Sequence, residues 1–392
     1  MSASSADRPR WLNSTVLGVG LASLLSDVSH EMATAALPAL LASLGAGSAA
    51  LGLIEGLADA LASFAKLYSG HYSDRLAKRK PLAVAGYCVT AAGMASFALA
   101  TTWWQVLLGR AGAWLGRGAR TPVRKVLLTE ATTPESYGRA FGLERSMDSA
   151  GAVIGPLLAV LSLSAFGLRR TFLLTLIPGL LAALVIAFLV REKPHAPHPA
   201  AGLAASVRGL PASFKRCLAG VGLAGAGDFS NTLLILWATQ AWSPIYGRAQ
   251  AATLAILFYT GYNVVYTVSC SVSGFLADAA PKKTVLAAGY ALAVVPAAAL
   301  LLPGASLAKF AVVFGMSGLY MGVWETVESA TAAALLPSEL RGLGFGALST
   351  VNGLGDLASS VIVGALWVLH PAAAMAYVIA TSLGGAALIA AL

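Results

Sequence analysis

Charge is scarce in this chain. Of its 392 residues, 11% are charged and 57% hydrophobic, whereas a soluble domain carries about 25% charged residues. Such a chain has too little polar surface to face water, so lipid is its solvent. Cysteine is scarce too. Cys88, Cys217 and Cys270 are far apart and lack C-x-x-C spacing, which excludes a disulfide scaffold and a cysteine metal site and leaves them as small packing residues. No G-x4-G-K-[ST] run exists, so a P-loop does not drive it with ATP. No nucleophile–base constellation stands out, so the chain is not read as an enzyme and no cofactor is called for. The net charge of +9 lies in short loops between apolar runs and not on a basic, aromatic-interleaved domain. Nucleic acid is therefore not an expected partner.

What fills the chain is apolar runs long enough to cross a bilayer, each needing roughly 20 residues. Spans are predicted near 14–44, 48–71, 82–101, 103–129, 139–166 and 168–190, then 213–240, 249–276, 283–303, 307–335, 341–368 and 371–392. The run behind Met1–Trp11 is too long for a signal-peptide core and contains Asp27 and Glu31. With the N-terminus inside, seventeen Lys and Arg fall on the cytoplasmic side. Arg169, Arg170, Arg248 and Lys309 fall outside. That asymmetry sets both termini in the cytoplasm of a multi-pass inner-membrane protein. The stretch 191–212, rich in Pro, Gly and Ala with His195 and His198, reads as a solvated linker between six-helix bundles at 1–190 and 213–392.

A shift of 204 residues superposes the halves. Ser69-Gly70-x-x-x-Asp74 matches Ser273-Gly274-x-x-x-Asp278, and Gly138-x-x-Phe141-Gly142 matches Gly342-x-x-Phe345-Gly346. Internal repeats of this kind place a substrate site between the halves near the midplane. The repeat is chemically unequal: Asp27 pairs with Asn231, Asp59 with Asn263, and Asp148 with Asn352. The first half keeps the titratable group and the second an amide of the same shape.

The loop Gly70-His-Tyr-Ser-Asp74-Arg75-Leu-Ala-Lys78-Arg79-Lys80 resembles the signature between helices 2 and 3 of the major facilitator superfamily, with Ala77 in place of a glycine and Lys78 in place of an arginine. A degenerate copy carries Asp278. The resemblance implies an all-α polytopic fold of twelve transmembrane helices in two pseudo-symmetric halves. It also implies a cytoplasmic gate built on Gly70, Asp74, Arg75, Arg79 and Asp278. Asp74 follows a helix C-terminus, where its own dipole disfavours it, so it needs a helix N-terminus or an arginine as partner. Gly142, Gly151, Gly155 and Pro156 resemble the helix-5 motif of the superfamily's proton-antiporting exporters, although Ala159-Val160 stands where that motif ends Gly-Gly. Glycines there also serve ordinary close packing. Arg110, followed by Gly112, Gly116 and Gly118, resembles the helix-4 motif tied to proton transfer.

Ten carboxylates fall inside the predicted spans, where each costs roughly 2.5–3.5 kcal/mol unless it is wet, paired or protonated. Asp27, Glu31 and Asp59, with Arg110, form the expected proton-coupling group. Glu144 and Asp148 are expected to pair with Arg117 and Arg120 as gate ion pairs. His30, Glu55, Asp228, Asn231, Tyr259, Tyr262, Asn263, Trp324, Glu325, Glu328, Asn352 and Asp356 are expected to line a substrate site. Aromatics and amides of that kind suit an amphipathic or cationic organic molecule. The reading is a monomeric, proton-coupled efflux antiporter for a small molecule. An exporter of a divalent metal or metal chelate, motivated by Asp27, His30 and Glu31 and by the Glu325/Glu328 pair, is the alternative, and a proton-coupled nutrient importer is a further one.

Overall fold

The computed structural model describes residues 11–46, 48–193, 197, 202–228 and 231–392; the side chains of residues 48, 49, 52, 231, 232 and 249 are outside that description. His195 and His198 lie outside the described residues, as does the side chain of Asn231.

Among the described residues the protein is helical throughout, without strands. Six helical segments fill the first half: α1 (Ser14–Ser43), α2 (Ser48–Ser73), α3 (Lys80–Ala95, extended by a 3-10 turn to Leu99), α4 (Trp103–Glu130), α5 (Tyr137–Phe166) and α6 (Leu168–Leu174 with Leu176–Leu189). Six more fill the second: α7 (Ala212–Gly225 with Asn231–Tyr246), α8 (Arg248–Ala279), α9 (Lys282–Leu292 with Val294–Leu301), α10 (Leu307–Leu335), α11 (Arg341–Leu369) and α12 (Pro371–Ala390). A short helix, Leu203–Arg208, lies between.

Eight of these segments are long and apolar enough to cross a membrane unaided. The remaining four are α1, α2, α4 and α7. Their apolar runs are interrupted by Asp27 and Glu31, by Glu55, Asp59 and Lys66, by five Arg and Lys from Arg110 to Lys125, and by a break at Ala226–Asp228. Hydropathy alone makes α7 one continuous span. The break corrects that expectation, and the Gly225-Ala226-Gly227-Asp228 run is its cause: two glycines and an aspartate favour turn over helix.

Local chemistry sets the helix ends. Asn13 caps α1 by accepting from the Thr15 and Val16 amides at 3.0 and 3.1 Å, and its amide donates to the Ala131 carbonyl beyond the end of α4. Thr102 and Gln105 form a capping box at the start of α4. Gly167 and Gly247, at φ 77° and 82°, are one-residue turns joining α5 to α6 and α7 to α8. A Cβ would strain both turns.

The halves meet along two mirrored seams, α2 against α11 and α5 against α8. The repeat extends to individual bonds. Ser69 donates to the Gly118 carbonyl at 3.2 Å, and its equivalent Ser273 donates to the Gly322 carbonyl at 3.2 Å.

Candidate functional site: a charged central cavity above a closed end

The seams are tightest at the end carrying the Asp74 and Asp278 loops. Asp74 accepts from the Gly342 and Leu343 amides at 2.9 and 2.8 Å, at the N-terminus of α11. Asp278 accepts from the Gly138 and Arg139 amides at 2.8 and 2.9 Å, at the N-terminus of α5. A carboxylate on exposed helix amides gains both the hydrogen bonds and the dipole. Gly70 lies so close to the Gly342 carbonyl, and Gly274 to the Gly138 carbonyl, that a Cβ would collide. Behind Asp74, Arg79 is buried between Asp74, Glu130 and the Ser73 carbonyl. Arg75 instead meets His71 at 2.6 Å on its own helix turn. Asp74 lies beyond the end of α2, and burial pushes its carboxyl up to about 6 against the lowering pull of the two amides and Arg79.

From this end the seams continue to mid-helix. Thr350 donates to the Ser63 carbonyl at 3.1 Å, Ser146 meets Ser271 at 2.7 Å, and Ser149 meets Thr267 at 2.8 Å. Beyond those levels the buried apolar residues form two separate clusters, one of first-half residues such as Leu37, Ile54 and Phe172 and one of second-half residues such as Trp242, Tyr262 and Phe314, whereas a single cluster spans both halves at the other end. The halves are therefore joined at the basic end and apart at the other. Where they part lies a cavity of about 210 Å³. Lys66, Arg117, Arg120, Arg124, Lys125 and Arg145 line it together with Glu144, Asp148, Glu325, Glu328, Asn352 and Asp356.

In the first half the charges gather around Trp114. Its ring lies 3.8 Å from the Arg110 guanidinium and 5.7 Å from that of Arg117. The His30 ring sits against it at 4.7 Å, and the indole N–H donates to Asp59 at 2.6 Å. Arg110 pairs with Glu55 at 2.8 Å and reaches Thr34 at 3.1 Å. Asp27, 7% exposed, pairs with Arg117 at 3.4 Å, and Glu31 faces His30 Nε2 at 3.6 Å. Asp27, Glu31 and Asp59 thus surround Trp114 and Arg117 and do not bond to one another. Each cation on the indole face is worth about 0.5–2 kcal/mol.

The expected pairing of Glu144 and Asp148 with Arg117 and Arg120 is corrected. Glu144 accepts from Arg124 at 2.9 Å and Ser23 at 2.8 Å. Asp148 takes Arg145 at 2.8 Å and Arg124 at 3.6 Å. Arg120 pairs with neither acid: it donates to Ser26 at 2.6 Å with its guanidinium 4.0 Å over the Tyr87 ring, and still lines the cavity. Arg145, for which the sequence suggested no role, crosses between the halves to Glu325 and to the Tyr266 hydroxyl. Lys125 crosses likewise to Ser329 at 3.0 Å.

In the second half Glu328 is 2% exposed and held by neutral donors: Trp324, Asn352 at 2.6 Å and Tyr290 at 3.2 Å. Trp324 and Tyr262 are buried packing residues, not walls of the central cavity. Tyr259 stacks on Tyr262 at 5.5 Å, and Asn263 donates to the Tyr259 carbonyl of its own helix. Asp228 and Tyr262 face a separate cavity of about 30 Å³. Of the expected substrate residues, the central cavity brings together Glu325, Glu328, Asn352 and Asp356. Among the described residues no group of three His, Cys, Asp or Glu could hold a metal ion. Asp27 pairs with Arg117, and Asp27, His30 and Glu31 do not form such a group.

The sequence profile described as Major Facilitator Superfamily matches residues 19–360. The chain belongs to the major facilitator superfamily. An uncharacterised MFS-type transporter of Methanocaldococcus jannaschii is 27% identical over 367 residues, 93% of this chain and 91% of that one. The multidrug resistance protein MdtH of Yersinia enterocolitica is 36% identical over 115 residues, 29% of this chain and 28% of its own. The solved structure of the Escherichia coli fucose:proton symporter FucP superposes with a TM-score of 0.74 at 18% identity, covering 95% of this chain and 98% of that one. These relatives are transporters, and the chain is a multi-pass membrane transporter of the superfamily and not an enzyme.

Within this superfamily fold the α5 glycines face two partners. Gly142 packs on the Cys270 carbonyl of α8, across the seam. Gly151 and Gly155 pack on α1, where an added Cβ would meet Asp27 Cβ and Glu31 Cβ. The turns of α1 that bear its acids therefore rest directly on α5. Sequence reasoning missed Trp114, Arg145, Lys66 and Lys125. Trp114 stands four residues after Arg110 and three before Arg117, and Arg145 three before Asp148. The helical neighbour rule could have found both.

Proposed function

We propose that the protein is a proton-coupled exporter that exchanges protons for a small organic substrate by alternating access. It works as a monomer in the cytoplasmic membrane with both termini inside. The rocking bodies are the bundles 1–190 and 213–392, linked by 191–212. The observation that carries this reading is the seating of α5 on α1. Gly151 and Gly155 clasp the turns of Asp27 and Glu31, while Arg145, paired with Asp148 on the same helix, reaches Glu325 across the seam. A proton taken by Asp27 releases Arg117, and α5 is the rigid element through which that change reaches the joint between halves. Substrate entering the open side meets the charged cavity. Opening the basic end requires Asp74 and Asp278 to leave their amides. Hydrogen bonds to a charged group are worth about 1.5–3 kcal/mol each, so this gate can decide between states a few kcal/mol apart. The similarity to the multidrug resistance protein MdtH over 115 residues supports efflux.

The test is the lumenal pH of proteoliposomes during substrate uptake, screened over small organic anions and cations. Antiport makes the lumen alkaline as substrate enters. Symport makes it acid and would replace the exporter by the importer.

A further inference from the structure

What the cavity still lacks defines its guest. Four of its five carboxylates already have partners: Glu144 and Asp148 on Arg124 and Arg145, Glu325 on Arg145 and Tyr266, Glu328 on neutral donors. Among the bases, Arg124 and Arg145 are committed to those acids and Arg117 to Asp27. Lys66, Arg120 and Lys125 line the cavity and form no ion pair among the described residues.

The buried atoms left without a hydrogen-bond partner lean the same way. Around the cavity they are Arg120 Nε and Nη1 and Arg124 Nε, all donors, against one acceptor, Asn352 Oδ1. Arg120 is 4% exposed, so bulk water does not readily supply what it lacks. Buried donors without acceptors are unfavourable until a ligand brings acceptors. A cationic guest would find only Asp356 without an ion pair or a side-chain hydrogen bond among the lining acids, against Lys66, Arg120 and Lys125.

We propose that the central cavity takes a small organic anion, its carboxylate, sulfonate or phosphate group facing Lys66, Arg120 and Lys125. This rests on the reading of the cavity as the transport site, and it replaces the cationic substrate that the aromatic residues suggest from sequence. Tyr262 and Trp324 are buried behind the wall and Tyr259 is half-buried against Tyr262, whereas the wall itself carries six bases against five acids.

Thermal unfolding of the purified full-length protein in detergent tests this without any gradient, so it stands or falls separately from proton coupling. The probes are citrate, benzenesulfonate and glycerol 3-phosphate against tetraphenylphosphonium, each at about 10 mM, well above a millimolar dissociation constant. At least one anion is expected to raise the melting temperature by roughly 1–2 °C or more. Lys66→Gln and Lys125→Gln should abolish that shift while Lys66→Arg retains it. Variants are compared with their own ligand-free melting points, which separates loss of binding from loss of folding. A shift with tetraphenylphosphonium alone, no shift with any anion, or an anion shift that survives both glutamine variants would each overturn the proposal.

Discussion

Phe141 and Phe345 are repeat equivalents, 204 residues apart, and their rings meet at 5.9 Å across the joint between halves. Two further contacts join residues to their own equivalents: Lys125 to Ser329 at 3.0 Å and Arg341 to Tyr137 at 3.0 Å. Self-equivalent contacts can form only on the pseudo-twofold axis. They run beside the cavity to the basic end, so the cavity floor and the gate are parts of one column.

That column and the seams beside it hold the basic end shut. Ser146 and Ser271 stand 2.7 Å apart, a spacing that cysteines at both positions can bridge. In a Cys270→Ala background, oxidising the Ser146→Cys/Ser271→Cys pair should reduce transport to background, and reduction should restore it. Uptake assays before and after dithiothreitol check this.

Gly70→Leu should act in the opposite direction. The side chain would strike the Gly342 carbonyl, an overpacking worth about 1–3 kcal/mol against closure. Spin-label distances between the basic ends of α2 and α11 should lengthen in the variant, with loss of transport.

Asp74 gives the gate a pH dependence with a definite sign. Its pKa is about 6 in the closed arrangement, raised by burial, against about 3.9 for a free aspartate. The closed form therefore binds the proton more tightly, and closure takes up protons between these values. Lowering the pH from 7 to 4 should favour the closed basic end, and raising it well above 6 should change nothing further. The same spin-label distances, followed against pH, should show this in the wild type and lose it in Asp74→Asn.

Trp114 should behave as a joint of the first-half network. Trp114→Phe keeps a ring for Arg110 but deletes the bond to Asp59, for an expected loss of about 1 kcal/mol. Trp114→Ala should cost about 3–5 kcal/mol. Thermal unfolding of the two variants checks the order.

Span positions were legible in the sequence because apolar length is a local property, and α5, α10 and α12 lie within a few residues of expectation. The dipole argument sends Asp74 toward a helix N-terminus, which is where its carboxylate lies. The partners of Glu144 and Asp148 were not legible. Arg117, Arg120 and Arg124 follow one another at three- and four-residue steps on α4, and only the rotation of that helix decides which of them faces α5. The burial of Tyr262 and Trp324 was hidden for the same reason: an aromatic at midplane depth can face the cavity or the packed interior.

Charge is the feature that remains unequal between the halves. Arg124 bonds Asp148 at 3.6 Å, and their equivalents Glu328 and Asn352 meet at 2.6 Å with the charge reversed and the second partner neutral. The same inequality sets Asp27 against Asn231, and it is the ground for proposing that the first half handles the proton.

The most direct measurement is lumenal pH, together with substrate exchange, in proteoliposomes bearing wild type or Asp27→Asn. Wild type should alkalise the lumen during substrate uptake. Asp27→Asn should retain substrate-for-substrate exchange and move no protons. Proton movement that persists unchanged in Asp27→Asn would contradict the assignment of Asp27 as the coupling group.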